Sequence, residues 1–432
     1  MAGHPWVRRG YSAALLTLSP LVWRRVWKES LPGRSRTERL GRIAASPEGA
    51  HSLWLHCASV GEVQAARPLI EALARRHPDS RLVITTMTAT GAERAHAVAE
   101  RLQGEGDVAE VSHHFVPLDF PGAARRFLER LRPDLAIFFE TELWPNLLAG
   151  CERRGIPVAV VNGRLSPRAF QGYRRLGRLM AEALSHVSWL GAKSEADAER
   201  FRALGMAAEK TEVTGSLKFD LARDDKAFEV SERLRAGVGK RPVWVAGSTH
   251  EGEDEALLEA HARLRERYPE ALLILVPRHP RRFEAAAELC RAEGMMVARR
   301  SRDEAVSGET AVYLGDTMGE LSALYGAGDA AFVGGSLVPI GGHNLLEPAA
   351  MGVPVLTGPE LANFSDVAEA LRERDALVEV GDAATLAEAL VRLLGDAAER
   401  ERLAAAGRAV VEANRGALKR TLEGLERLLQ TK

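Results

Sequence analysis

Short, uninterrupted apolar runs alternate with longer amphipathic ones along most of this chain, and that rhythm restricts its folds more than any other feature. Residues 52–56, 81–86, 134–139, 157–161 and 187–192 are runs of strand length, with helical spacing in the intervals. A strand without polar alternation is buried on both faces, as in a mostly parallel sheet whose crossover helices cover either side. The rhythm pauses over 215–241, a polar stretch holding Lys218, Asp220, Arg223, Asp224, Asp225 and Lys226, and restarts at 243–246. Further runs follow at 272–276, 312–314, 330–333, 354–356 and 377–380. The expectation is an α/β chain with two similar, doubly wound parallel-sheet domains facing one another across a cleft. Residues 397–429, helical in spacing and free of proline, read as one or two helices whose destination periodicity does not disclose.

Composition removes several alternatives. The 432 residues, at roughly 100–200 per domain, suit two to four domains, each able to bury its own core. With 58 basic against 59 acidic residues and 46% apolar content, the chain is neither disordered nor a polyelectrolyte that would be drawn to nucleic acid. Cys57, Cys151 and Cys290 are odd in number and far apart, which fits small buried hydrophobes in a reducing compartment better than disulfides or a metal site.

The amino terminus is different in kind. Arg8-Arg9 and Arg24-Arg25 bracket an apolar stretch, 11–23, that Pro20 interrupts, and Trp6, Trp23 and Trp27 lie at its margins. The run is shorter than the ~20 residues a spanning helix needs, and it meets no small-residue cleavage site. Indoles and guanidinium groups at both edges suit a segment lying in a headgroup layer. The plainer alternative is a helix packed on the next domain.

In open α/β sheets, ligands collect beyond the carboxyl ends of strands, which singles out the loops there. Cys57-Ala58-Ser59-Val60-Gly61-Glu62 follows the first strand and opens a helix. Glu62 either complements that helix's dipole or, flanked by small residues such as Ser59 and Gly61, acts as an approachable general base. Glu140-Thr141-Glu142 precedes another helix; two carboxylates two apart on extended chain point oppositely, so one would serve a site while the other caps the helix. A second option makes both helix-start acids. Asn162-Gly163-Arg164 adds a cation to the same edge, where Arg164 would hold an anionic acceptor.

The later half carries the stronger pattern, Phe332-Val333-Gly334-Gly335-Ser336 continuing through Gly341-Gly342-His343-Asn344-Leu345-Leu346-Glu347-Pro348. Four glycines after a strand, followed by a helix start, suit backbone amides cradling a phosphate, with Glu347 placed for ribose hydroxyls. Ser248 and Thr249 follow one neighbouring strand, and Pro277, Arg278 and His279 follow another, Arg278 being able to pair with phosphate bidentately. Asp316-Thr317-Met318-Gly319-Glu320 reads as a helix start whose amides meet base or phosphate. The run is neither a dinucleotide fingerprint nor a Walker loop. No clear D-x-D pair offers itself for a divalent ion, so a metal-independent transfer without cofactor is expected, with amides and cations stabilising a leaving phosphate.

Ser59-Val60-Gly61-Glu62, Glu140-Thr141-Glu142-Leu143-Trp144-Pro145-Asn146, Asn162-Gly163-Arg164-Leu165-Ser166, Gly215-Ser216-Leu217-Lys218-Phe219-Asp220, Pro277-Arg278-His279-Pro280 and the glycine-rich run ending at Glu347 together resemble the 3-deoxy-D-manno-oct-2-ulosonic acid (Kdo) transferases of lipopolysaccharide synthesis. The resemblance runs along nearly the whole chain. It implies a GT-B glycosyltransferase of two Rossmann-like domains that moves Kdo from CMP-Kdo to a tetraacylated lipid A precursor with inversion. It further implies Glu62 as the base; Ser59, Gly61, Glu140, Glu142 and Arg164 on the acceptor side; and Pro277, Arg278, Met318, Gly319, Glu320, Asn344, Leu345, Leu346 and Glu347 around CMP. Ser248, Thr249, His279, Gly341, Gly342 and His343 lie in the same loops and are expected to complete the nucleotide site. The corresponding domains are 1–30 (membrane-associating), 31–222 (acceptor-binding), 223–410 (CMP-sugar-binding) and 411–432 (a terminal helix). Family members often begin with a longer apolar anchor than 11–23, and the expected location is the cytoplasmic face of the bacterial inner membrane. Two other readings share some of these features: a nucleotide-sugar 2-epimerase, which needs no lipid acceptor, and a noncatalytic nucleotide sensor at the membrane, indifferent to Glu62.

Overall fold

A computed structural model describes residues 5–28, 34–47, 49–104, 108–221 and 225–430. Among them, strands β1 (Ser52–His56), β2 (Arg81–Thr86), β3 (Glu110–Phe115), β4 (Leu135–Phe139), β5 (Val158–Gly163), β6 (Trp189–Ala192) and β7 (Thr211–Val213) form one sheet in the order 3-2-1-4-5-6-7. Strands β8 (Val243–Thr249), β9 (Leu272–Pro277), β10 (Val297–Arg299), β11 (Val312–Leu314), β12 (Ala330–Val333), β13 (Val355–Thr357) and β14 (Leu377–Glu379) form the other in the order 10-11-9-8-12-13-14. The pairings are parallel in both sheets. Each is a doubly wound Rossmann-like sheet, and each reverses its winding once, between β1 and β4 and between β8 and β12. A crevice opens at such a reversal because the helices leave to opposite faces.

The sequence of β1 shows how such a sheet is specified. Leu53 and Leu55 face one buried cluster with Val63, Leu69 and Ile84, while Trp54 faces another with Phe127, Phe138 and Val83. Alternate residues of one apolar run thus bury against helices on both sides, each large side chain contributing ~1.5–3 kcal/mol. Trp54 meets Phe127 and Phe138 edge to face at 5.0 and 5.1 Å and donates its indole N–H to Thr85 Oγ1 (2.8 Å). Three strands escaped the apolar-run reading for visible reasons. Glu110, Ser112 and His114 of β3 alternate with buried residues, β7 is largely exposed, and the short β10 ends on Arg299, which breaks its apolar run.

The structure divides the chain into 1–221 with 415–432, and 222–414. The charged stretch 222–224 lies outside the described residues. The terminal region is two helices, Ala397–Asn414 and Ala417–Gln430, and the second returns to the first unit. Gly416, at φ +81°, makes the turn between them. Asp220 then receives the helix start: Oδ1 accepts the Gly416 N–H (2.9 Å) and Oδ2 the Leu418 N–H (2.6 Å). Ala417, Leu422 and Leu425 join the first core.

The amino terminus forms two helices, Pro5–Thr17 and Ser19–Lys28. One face packs on the first unit, where the Tyr11 hydroxyl bonds the Asp119 carboxylate and the Ser12 hydroxyl bonds Asn146 Oδ1 (3.0 Å). Arg8, expected among the lipid-facing arginines, is instead committed inward, its Nε donating to buried Glu182 (2.8 Å). The other face leaves Trp6, Leu16, Leu18 and Leu21 exposed, with Arg9 and Arg24. The side chains of Arg25 and Trp27 lie outside the description. Among the described residues no helix is long and apolar enough to cross a membrane.

Candidate active site

The first reversal point is flanked by the loops after β1 and β4, and these bring three carboxylates together. Ser59 caps the helix Val60–Arg76, its Oγ accepting the Glu62 N–H at 3.4 Å. The Glu62 carboxylate folds back over that helix start: Oε2 accepts the Ala58 N–H (2.8 Å) and Oε1 the Ser59 hydroxyl (3.1 Å). Burial nevertheless pushes its pKa up to about 7, the negative charges of Glu140 and Glu142 adding to the rise and the two hydrogen bonds opposing it. The capping geometry and the proton-accepting character therefore coexist in one side chain.

Glu140 and Glu142 do not divide their labour as their spacing suggests. Glu140 takes a left-handed backbone, φ +60°, so the segment is a turn rather than extended chain. Both carboxylates act on Glu62 and on the buried Cys57 thiol, which burial and these three negative charges push upward. Neither caps the following helix. Pro145–Glu152 begins at Trp144 with no side-chain cap of its own, and its orphan amides go to Asp119, whose two oxygens accept Asn146 N–H (3.0 Å) and Leu147 N–H (2.9 Å). Glu142 is burdened by burial, but His56 and the Trp144 indole N–H (2.8 Å to Oε2) outweigh this and hold its pKa below the usual value. His56 Nε2 lies 3.5 Å from Glu142 Oε2. The surroundings push the two neighbouring carboxylates apart, so that Glu62 can take a proton near neutrality while Glu142 stays ionised.

The loop after β5 joins the same edge. Arg164 is half-buried, and its carbonyl accepts the Thr141 hydroxyl, linking it to the turn that carries Glu140 and Glu142. Asn162, at φ +52°, accepts the Leu217 N–H (3.1 Å), so this residue anchors the stretch that leads to Asp220. Gly61 is exposed, and an added Cβ there would meet Ser59 Oγ at 3.9 Å, an ordinary contact.

The second reversal point, between β8 and β12, is cationic and imidazole-rich. Ser248 is left-handed at φ +58°, Thr249 is fully buried, and the Thr249 carbonyl accepts the Arg278 N–H (3.0 Å). His250 Nε2 lies 2.7 Å from His343 Nε2 with the rings parallel, and His279 stands edge-on to His250 at 5.5 Å. Burial lowers the pKa of His343 to about 4, and that of His250 more mildly; the charge of Arg278 reinforces both shifts. Asn344 Nδ2 donates to Glu347 Oε1 (3.1 Å), and its Oδ1 accepts the Leu346 N–H (3.1 Å). Burial raises Glu347, against the pull of that bond and of Arg278. Arg278, His279, His343, Asn344 and Glu347 thus share one neighbourhood, with Pro277 and the Gly341–Gly342 turn leading into it.

Three groups in this half are already committed within the fold. Glu320 does not offer a free carboxylate, because Arg300 binds both oxygens (2.8 and 3.2 Å), lowering its pKa, and Thr317 donates to it as well. Met318 remains exposed and Gly319 left-handed beside it. Asp316 does not cap the helix Leu321–Gly326; it is held by Arg299 Nε (2.7 Å), the Ser301 N–H (2.7 Å) and the Ser301 hydroxyl (2.6 Å). Nor are the first amides of the glycine run open to phosphate. Gly335, Ser336 and Leu337 donate to Glu253, a residue the motifs did not single out. The sequence shows Glu251, Glu253 and Asp254 in one short loop, and spacing alone does not say which turns inward.

Comparison with known proteins follows the same lines. The sequence model of the family described as 3-deoxy-D-manno-octulosonic-acid transferase (kdotransferase) matches residues 34–221. The 3-deoxy-D-manno-octulosonic acid transferase of Haemophilus influenzae is 39% identical over 97% of this chain and 98% of the relative. That of Bordetella pertussis is 38% identical over 96% and 98%. Among solved structures, the UDP-GlcNAc 2-epimerase of Neisseria meningitidis covers 87% of this chain and 100% of its own with a TM-score of 0.54, but at 14% identity it shares the fold alone.

Proposed function

This chain belongs to the 3-deoxy-D-manno-octulosonic acid transferases, glycosyltransferases that move Kdo, and from that premise we propose its donor, acceptor and base. The donor is CMP-Kdo, bound by the second unit around Pro277, Arg278, Asn344 and Glu347. The acceptor is a tetraacylated lipid A precursor. Its sugar hydroxyl gives its proton to Glu62 as the oxygen attacks the anomeric carbon of Kdo, and the bond to the CMP phosphate breaks on the opposite side, inverting the centre. Arg278 and the amides of 343–345 stabilise the charge that gathers on the leaving phosphate. The observation that carries this reading is a carboxylate poised at about 7 at a sheet reversal point, since a base works best with a pKa near the working pH.

The exposed side chains of Trp6, Leu16, Leu18 and Leu21, with Arg9 and Arg24 exposed on the same segment, support attachment to the cytoplasmic face of the inner membrane, where the acceptor resides. Replacing Arg9 and Arg24 by glutamine is expected to weaken sedimentation with anionic liposomes; unchanged sedimentation refutes the attachment. The reaction is tested by mass spectrometry of a lipid A precursor incubated with the protein and CMP-Kdo. A Kdo increment with wild type, absent with Glu62→Gln, is the expected result. A folded, CMP-binding wild type that adds no Kdo overturns the proposal.

A further inference from the structure

Glu253 stands between β8 and the helix Asp254–Arg267, fully buried at the second reversal point. Its Oε1 accepts the N–H groups of Ser336 (3.0 Å) and Leu337 (2.9 Å). Its Oε2 accepts those of Gly335 (2.7 Å) and His250 (3.0 Å). A carboxylate has about four lone-pair sites, and all four are filled by backbone donors from two loops. Successive amides converging in this way form a nest that ordinarily receives an external anion; here the anion is built in. We propose that Glu253 is a positioning residue, an internal carboxylate that closes the amide nest at 335–337 and thereby sets the following segment, 342–347, for the donor nucleotide.

Two routes lead from Glu253 to that segment. Gly335, fixed by its N–H, accepts the Gly342 N–H on its carbonyl (2.7 Å). At φ +69° it also lies so close to His343 that an added Cβ would stand 2.9 Å from the ring. His250, fixed by its own N–H, carries the ring whose Nε2 meets His343 Nε2 at 2.7 Å. Both routes end at Gly342–His343, directly before Asn344 and Glu347. A donor phosphate is thereby kept out of 335–337 and left to Arg278 and the later amides.

The inference rests on the nucleotide-sugar reading, and CMP binding by calorimetry separates the two. Wild type failing to bind CMP would refute that reading itself. With wild type binding, Glu253→Ala is expected to bind CMP about tenfold more weakly or worse, since four buried donors lose their acceptor. Formate, a carboxylate small enough for the vacated space, should restore much of the affinity while leaving wild type unaffected. Glu253→Gln keeps the shape and is the variant to use if the alanine form does not fold. Its amide nitrogen sets donor against donor, so CMP binding should fall and formate should not restore it, the space being filled. Wild-type affinity in either variant, or a folded alanine variant that formate does not rescue, overturns the positioning role.

Discussion

Two glutamates occupy corresponding places in the two sheets and are held in opposite ways. Glu62 and Glu253 each follow the first strand of a sheet at the start of the next helix, beside the point where the winding reverses. Glu253 is saturated by four backbone N–H groups. Glu62 receives one N–H and one hydroxyl, with two further carboxylates close by. Topology brings a carboxylate to the crevice in both units, while the number of donors aimed at it decides whether it is locked as framework or left able to exchange a proton.

The largest expected effect is on turnover at the undersaturated glutamate. Glu62→Gln should lose about 100–10,000-fold in transfer rate, the span general-base catalysis contributes, with CMP affinity unchanged by calorimetry. A variant retaining most of its rate would dissolve the contrast between the two sites. A smaller effect sharpens it. Below the Glu62 pKa of about 7, log kcat/KM should climb with pH and then level as the carboxylate loses its proton. Glu140→Gln removes one of the negative charges that raise Glu62, so the inflection should move to lower pH. An unmoved inflection would mean that burial and Glu142 set the base without Glu140.

The sheets were legible because β1, β4 and β8 are apolar without interruption, and that pattern has few solutions. β3 was not, because it lies at a sheet edge and alternates like half-exposed chain. Glu62 was legible through its place after a strand and before a helix, yet spacing did not separate its two readings, because the carboxylate folds over the helix start and is also raised in pKa. The error over Glu140 and Glu142 came from assuming extended backbone, whereas a left-handed residue at 140 turns both carboxylates toward one centre. Asp119 and Glu253 were missed for a common reason. Each satisfies amides of a segment remote in sequence, Asp119 those of Asn146 and Leu147, Glu253 those of 335–337. Local spacing holds no record of such long-range pairing. The destination of the last helix was hidden likewise, since Asp220 receives it from about two hundred residues away.

The smallest effect concerns stability, and it follows from the same undersaturation. A carboxylate whose pKa is raised by folding binds its proton more tightly in the native state. Its contribution to stability is therefore complete below the unfolded value, 4.5, and is lost as pH climbs through about 7. That shift corresponds to at most ~3 kcal/mol, which partial contact with solvent reduces to ~1–2 kcal/mol. Glutamine carries no proton to lose, so Glu62→Gln should be more stable than wild type at pH 8 by about this amount, or about 2–8 °C in melting temperature for a unit of this size. At pH 5, where Glu62 is protonated, the two should melt within a degree or so of each other. Thermal melts at the two pH values decide it: a gain at pH 8 that vanishes at pH 5 shows that the fold holds Glu62 ionised against its own stability. An equal effect at both values would place the change in packing instead, and would remove the electrostatic basis for setting Glu62 apart from Glu253.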